Sequence, residues 1–186
     1  MSAAEHIESS NKRVALLIAV LAALLAFTET LGRDAQTEAI SANIEAANLW
    51  AFFQGKTVRA TTVRTVAEAV ELELDNPATD GKVAIAKRID EWRKTAARYD
   101  SEPETREGRK ELSERAKAAE VKRDLALAAY HRYEIGSAVL QIAIVLASAS
   151  AITGAAILLW GSIGLGVAGL ILGLFGFFAP IALHLN

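Results

Sequence analysis

The chain has 186 residues, 52% of them hydrophobic, with 20 basic against 22 acidic side chains and a formal net charge of −2. It has no cysteine, which excludes disulfides, Cys-ligated zinc, iron–sulfur clusters, thiol nucleophiles and lipidation at cysteine. Charge is segregated: 37 of the 42 charged residues lie between Arg33 and Glu134, where 18 basic and 19 acidic side chains balance. That balance argues against a nucleic-acid groove, which needs a clustered basic excess, so no nucleic-acid partner is expected.

Residues 1–13 read as a short N-terminal tail. Lys12 and Arg13 precede an apolar run from Val14 to Phe27 that continues into Thr28-Glu29-Thr30-Leu31-Gly32 without a small-residue cleavage site. The segment 14–32 is therefore expected to be a retained transmembrane helix rather than a signal peptide. From Val14 to Leu31 it would rise about 27 Å, close to the thickness of the hydrocarbon core.

Residues 33–134 read as helix throughout and are expected to form an extramembrane stalk. Ile40, Ile44, Ala47 and Ala51 mark one face, and Val63, Val66, Val70 and Leu74 a later one. Asp75-Asn76-Pro77 and Thr79-Asp80-Gly81 supply stop and restart signals. Ile85, Ile89, Trp92, Ala96 and Tyr99 then follow a 4-3-4-3 spacing, the mark of a coiled-coil seam. Ser101-Glu102-Pro103 reads as a cap with proline at the first helical position. Heptad spacing resumes at Leu112, Ala116, Ala119, Arg123, Ala126, Tyr130 and Tyr133. The chain leaves the membrane after Leu31 and returns by Ile135. A helix over 34–75 would rise about 63 Å, so the return calls for a long antiparallel hairpin kinked near Pro103. The competing arrangement breaks at Gln54-Gly55-Lys56. A helical glycine costs about 1 kcal/mol relative to alanine, which weakens a helix without forcing a break. A thin hairpin cannot bury Trp50, Phe52, Phe53, Trp92 and Tyr99 alone, which predicts a homo-oligomer.

The last 52 residues, Ile135 to Asn186, contain no Asp, Glu, Lys or Arg. They read as transmembrane helices over 135–160 and 161–186, with the turn at Trp160-Gly161-Ser162 and Pro180 near the end. Gly166, Gly169, Gly173 and Gly176 share one helical face and admit close approach of another backbone. The partner is either the small face Ala143, Ala147, Ala151 and Ala155 of the same hairpin or a neighbouring copy. The expected fold class is all-α: three transmembrane helices with a long helical-hairpin, coiled-coil extramembrane domain.

Chemistry-bearing constellations are sparse. Glu29 is the one ionisable residue inside a predicted span, with Arg33 at i+4. An interfacial ion pair accounts for it most simply; a cation- or proton-binding ring is the sharper reading. Ser137, Gln141 and Ser148 add a thin polar line on the second span, either interhelical hydrogen bonding or part of an ion pathway with Glu29. The stretch Asn48 to Lys56 is the most distinctive in the polar region. Trp50, Phe52 and Phe53 either form core or, with Lys56 and Arg59, a contact for lipid or a protein partner. His6, His131 and His184 are too scattered for a metal site. No phosphate loop, dinucleotide fingerprint or nucleophile elbow is present. No catalytic residue, metal or cofactor is expected, and the chain does not read as an enzyme.

Asn11-Lys12-Arg13-Val14-Ala15-Leu16-Leu17 opening the first span, Thr28-Glu29 at its end, the stretch Asn48–Lys56 and the apolar C-terminal hairpin together resemble a bacterial membrane family, domain of unknown function 4337. The likeness covers nearly the whole chain, and the segment from Trp50 to Lys56 is its most specific part. It implies no activity, cofactor or ligand.

Five basic residues (Arg33, Lys117, Lys122, Arg123 and Arg132) flank the spans on the side of the middle domain, and two (Lys12 and Arg13) on the other. The positive-inside rule then places the middle domain in the cytoplasm of a bacterial inner-membrane, multi-pass protein. The expected role is a non-enzymatic oligomeric scaffold with the helical stalk as docking platform. A channel or ion-translocating ring is the alternative, and a lipid- or partner-binding adaptor the third. Expected partners are membrane lipids, further copies of the chain and an unidentified protein.

Overall fold

A computed structural model describes the backbone of residues 3–74 and 80–178, with side chains from Lys12 onward. Among these residues are four helices and no strand: α1 (Ala3–Leu74), α2 (Lys82–Asp100), α3 (Arg109–Thr153) and α4 (Ala156–Phe178). The expected break at Asp75-Asn76-Pro77, Pro180, His184 and the side chain of His6 lie outside the described residues.

Helices α1, α3 and α4 each hold a stretch long and apolar enough to cross a membrane. Leu16 and Phe27 of α1, Ile142 and Val145 of α3, and Ile157 and Val167 of α4 are all more than half exposed. A water-soluble monomer rarely leaves so much contiguous apolar surface uncovered. This is the make-up of a membrane protein. Contacts within the chain define two units, Met1–Ile40 with Lys122–Asn186, and Ser41–Val121.

In the first unit, α3 and α4 pair antiparallel through small residues. Tyr133 lies against Gly176, Gly136 against Gly169 and Gly173, and Leu140 against Gly169. Further along, the Ser162 hydroxyl donates to the Ala143 carbonyl at 2.8 Å, and both residues are fully buried. Leu21 from α1 closes over Leu140 and Ala143, with Leu17, Leu24, Leu25, Ile144 and Leu165 packed around them. The turn between the two helices falls at Gly154-Ala155, which corrects the expected turn at Trp160-Gly161-Ser162. Gly154 adopts φ 71° and donates its N–H to Ser150, closing α3, and the Ser150 hydroxyl reaches the Ala155 carbonyl. Left-handed backbone favours glycine strongly, so Gly154 is the natural stop. Gly161 and Ser162 lie inside α4, where their small size serves contact with Leu146 and Ala143. The spans therefore meet at Gly154-Ala155, not at residue 160.

In the second unit, buried positions on α1 fall at Ala42, Ala46, Leu49, Lys56, Ala60 and Ala67, with Phe53, Val63 and Val70 half-buried between them. This is a regular 4-3 alternation dominated by alanine. Ile40, at the end of the first unit's share of α1, and Ile44 point outward and are each 55% exposed, so the face expected from Ile40, Ile44, Ala47 and Ala51 is not the packed one. Alanine at the seam lets helices approach closely, and the larger isoleucines have no room there. The seams expected on α2 (Ile85 to Tyr99) and on the part of α3 in this unit (Leu112 to Ala119) do face inward. Pairing with α1 is antiparallel: Glu71 meets Arg93, Arg64 meets Asp100, and Trp50 meets Glu120. Helix α1 passes through Gly55 unbroken. An added Cβ there meets nothing within 4 Å, so that glycine serves no close contact.

Residues 101–108 separate α2 from α3, and Pro103 lies in a turn rather than opening a helix. Ser101 does not act as the expected helix cap. Its hydroxyl donates to Glu111 Oε1 at 2.6 Å, while the backbone N–H of Glu102 donates to Glu111 Oε2 at 3.1 Å. The Ser101 hydrogen bond holds the Glu111 carboxyl below the usual glutamate range. Gly108 is needed here because a Cβ would strike the Ser101 and Glu102 backbone.

Candidate functional site

Two constellations anticipated from the sequence can be placed, one in each unit. The first is a polar recess between α1 and α3 in the unit built from the apolar helices. Glu29 and Arg33 are one helical turn apart on α1, and their ion pair spans 3.8 Å. Gln141 reaches across from α3 and donates its side-chain N–H to Glu29 Oε1 at 3.4 Å. Ser137, one turn before Gln141, is buried and lines the same recess, along with Gln36, Tyr130 and Glu134. The recess has a volume of about 420 Å³ and is open on its outer side.

Helical geometry explains the convergence. Ser137 and Gln141 stand at i, i+4 on α3, and Glu29 and Arg33 at i, i+4 on α1, so two polar edges face each other. Gln141 lies seven residues beyond Glu134, about 10 Å into the uncharged run. Ser148 does not join them: its hydroxyl donates back to the Ile144 carbonyl at 2.9 Å within its own helix. The polar line expected over Ser137, Gln141 and Ser148 thus ends at Gln141.

The glycine face is used within the chain. A Cβ on Gly166 would lie 2.6 Å from Leu21 of α1, one on Gly169 would lie 2.8 Å from Leu140, and one on Gly176 would lie 2.9 Å from Tyr133. Gly173 is looser, 3.7 Å from Thr28. Ala143 and Ala147 are fully buried and Ala151 partly so. Of the two expected partners, α3 of the same hairpin takes Gly169 and Gly176; Gly166 instead faces α1, a partner that neither expectation named. Leu21, Gly136 and Leu140 are not among the packing residues expected from the sequence, and Ser162, expected in a turn, instead packs inside the pair. Gly136, Leu140, Ala143, Ala147 and Ser150 follow a 4-3-4-3 spacing that could have revealed the packed edge.

The second constellation surrounds Lys56 in the Ser41–Val121 unit. Lys56 is buried, and its Nζ lies 3.8 Å from both Glu102 and Glu107 and 5.4 Å from the ring centres of Phe52 and Tyr99. Arg98 hydrogen-bonds Glu102 and, with a lesser contribution from Lys56, holds its carboxyl below the usual range. Phe53 receives the Arg109 guanidinium on its face and meets the Trp50 ring edge-on. Trp50 Nε1 donates to Glu120 at 2.9 Å. Trp50 and Phe53 both pack on a core of Ala46, Leu49, Leu112, Ala116 and Ala119.

The Lys56 ammonium thus lies among carboxylates and rings within the unit. Of the five aromatics, Trp50, Phe53, Trp92 and Tyr99 are half-buried within one chain. Phe52 and Arg59 remain exposed. His131 forms a simple pair with Glu134 at 3.5 Å.

The class these features define is an all-helical protein with three helices of membrane-spanning length and a helical unit tied by ion pairs. Residues 10–179 match the model of a family described as a domain of unknown function, DUF4337, and the chain belongs to that family. No curated protein and no solved structure matches it.

Proposed function

We propose that the chain is a non-enzymatic, oligomeric scaffold of the bacterial inner membrane, with the polar recess as the contact between copies and the Ser41–Val121 unit as a docking platform. The observation that carries this reading is the open polar recess of Glu29, Gln141 and Ser137, placed where α1 and α3 also expose apolar residues such as Phe27, Ile142 and Val145. Polar groups within hydrocarbon are costly unless paired, and glutamine is a recurrent interhelical glue. Gln141 offers both a donor and an acceptor, so a symmetric neighbour presents it with its own complement. The enclosed Lys56 and the paired Trp50 indole support a structural role for the second unit, because its distinctive side chains hold helices together.

The test is the mass of the complex in mild detergent. Wild type is expected to run as an oligomer that Gln141→Leu weakens. A monomeric wild type, or an oligomer indifferent to Gln141→Leu, would refute the reading. The convergence of Glu29, Ser137 and Gln141 in one recess also favours a second reading, a cation-translocating ring. Flux through liposomes that falls with Glu29→Gln supports that reading, and silent bilayers at high protein density count against it.

Arg33, Lys117, Lys122, Arg123 and Arg132 favour a cytoplasmic position for the middle residues. Protease added to intact spheroplasts is then expected to leave residues 41–121 uncut. Cleavage there without lysis would place them outside.

A further inference from the structure

On the opposite edge of α1 from the Glu29 recess lies a cleft between α1 and α4. Its walls are Leu24, Phe27, Leu170, Leu174 and Phe178, its floor is Thr28 and Gly173, and its volume is about 250 Å³. Almost nothing polar reaches its surface. Leu31 and Phe177 close one end, and the same two residues open a second hollow of about 400 Å³ that contains Asp34, Glu38 and Lys122. An apolar slot thus runs into a charged mouth.

The mouth has a distinctive charge pattern. Glu38 and Lys122 form an ion pair at 3.3 Å, each more than half exposed. Asp34 stands one turn before Glu38 and makes no ion pair among the described residues. Lysine has three N–H donors and uses one on Glu38, so it can still donate to an anionic oxygen. The mouth therefore offers two carboxylates, one without a cation, beside one ammonium with donors to spare. A ligand matching it carries a cationic N–H donor group, an adjacent anionic group and a long apolar tail.

We infer that this cleft binds a zwitterionic phospholipid bearing a primary ammonium, with an acyl chain in the slot between α1 and α4. Its ammonium sits on Asp34 and Glu38, and its phosphate on Lys122. The spacing along the chain fits. From Phe27 in the slot to Asp34 at the mouth is seven residues, about 10 Å along a helix. Asp34 also follows directly on Arg33, where the charged part of the chain begins. Two acidic groups disfavour an anionic headgroup by repulsion. A quaternary ammonium lacks the N–H donors that carboxylates accept, so phosphatidylcholine fits less well than phosphatidylethanolamine.

Native mass spectrometry tests this on the full chain released from nanodiscs holding phosphatidylethanolamine, phosphatidylcholine and phosphatidylglycerol in equal parts. Wild type is expected to retain phosphatidylethanolamine severalfold over the other two. The double substitution Asp34→Asn with Glu38→Gln, at exposed positions, is expected to abolish that preference while adducts persist. Leu174→Trp, filling the slot, is expected to reduce adducts of every headgroup. Equal retention of the three lipids by wild type would overturn the inference. So would a preference that survives the double substitution, even if Leu174→Trp prevents folding.

Discussion

Gly169→Leu is expected to lower the thermal unfolding midpoint in detergent by several degrees, whereas Gly164→Leu leaves it nearly unchanged. A Cβ on Gly169 already lies 2.8 Å from Leu140 Cγ and 3.1 Å from the Gly136 carbonyl oxygen. The leucine side chain can shift, but the Gly136 backbone is fixed in α3 and cannot. Overpacking of this kind costs about 1–3 kcal/mol, and leucine adds three further carbons beyond the Cβ. At Gly164, on the same helix, an added Cβ meets nothing within 4 Å. The comparison separates close packing from any general effect of replacing glycine in a membrane-spanning helix. Equal shifts for both variants would mean that the α3–α4 contact does not depend on the missing side chain. Because Gly169 packs inside one chain, the loss of stability should accompany or precede any change in the mass of the complex.

Lys56→Met is expected to destabilise the Ser41–Val121 unit by about 2–3 kcal/mol. Removing one partner of a fully buried ion pair costs about 3–5 kcal/mol, because the other is left charged and unmatched. The figure is reduced here because Glu107 is 48% exposed and water can solvate it, and because Arg98 still serves Glu102. Methionine keeps the length and fills the space between Phe52 and Tyr99, so the measurement reports charge more than volume. Chemical denaturation followed by tryptophan fluorescence provides the readout, since Trp50 and Trp92 both lie in this unit. A change below about 0.5 kcal/mol, the usual range for a surface substitution, would show that the enclosed ammonium contributes little.

Residue spacing revealed some of this architecture and hid the rest for identifiable reasons. On α2, Ile89 and Ala96 alternate with Trp92 and Tyr99, and large side chains at 4-3 spacing marked the packed face without ambiguity. On α1 the packed positions in the same unit are mostly alanines. Alanine is common on every face of a helix, so the exposed Ile40 and Ile44 drew attention away from Ala42 and Ala46. The turn at Gly154 competed with six later glycines, from Gly161 to Gly176, most of which are small for a packing reason. Only backbone conformation distinguishes a glycine needed for its φ from one needed for its size. Glu29 and Gln141 are 112 residues apart in the chain, and their meeting depends on how α1 and α3 align side by side. Spacing within one helix carries no information on that alignment. The enclosure of Lys56 was hidden in the same way, because Glu102 and Glu107 come from the 101–108 connection rather than from a periodic face.

The Gly154-Ala155 turn bears on how the C-terminal helices could enter a bilayer. Tight pairing of α3 with α4 around a two-residue bend means that the leading end of this pair carries only Gly154 and Ala155 between helices. No Asp, Glu, Lys or Arg follows Glu134 anywhere in the chain. Moving a charged side chain to the middle of a helix in hydrocarbon is penalised by about 2.5–3.5 kcal/mol on insertion scales, and here that barrier is absent. The hydroxyls near the bend are used within the chain, with Thr153 Oγ1 donating to the Ala149 carbonyl of its own helix and Ser150 Oγ to the Ala155 carbonyl in the turn. The two helices can therefore be inserted together as one preassembled wedge from a single side, without carrying a hydrated loop across.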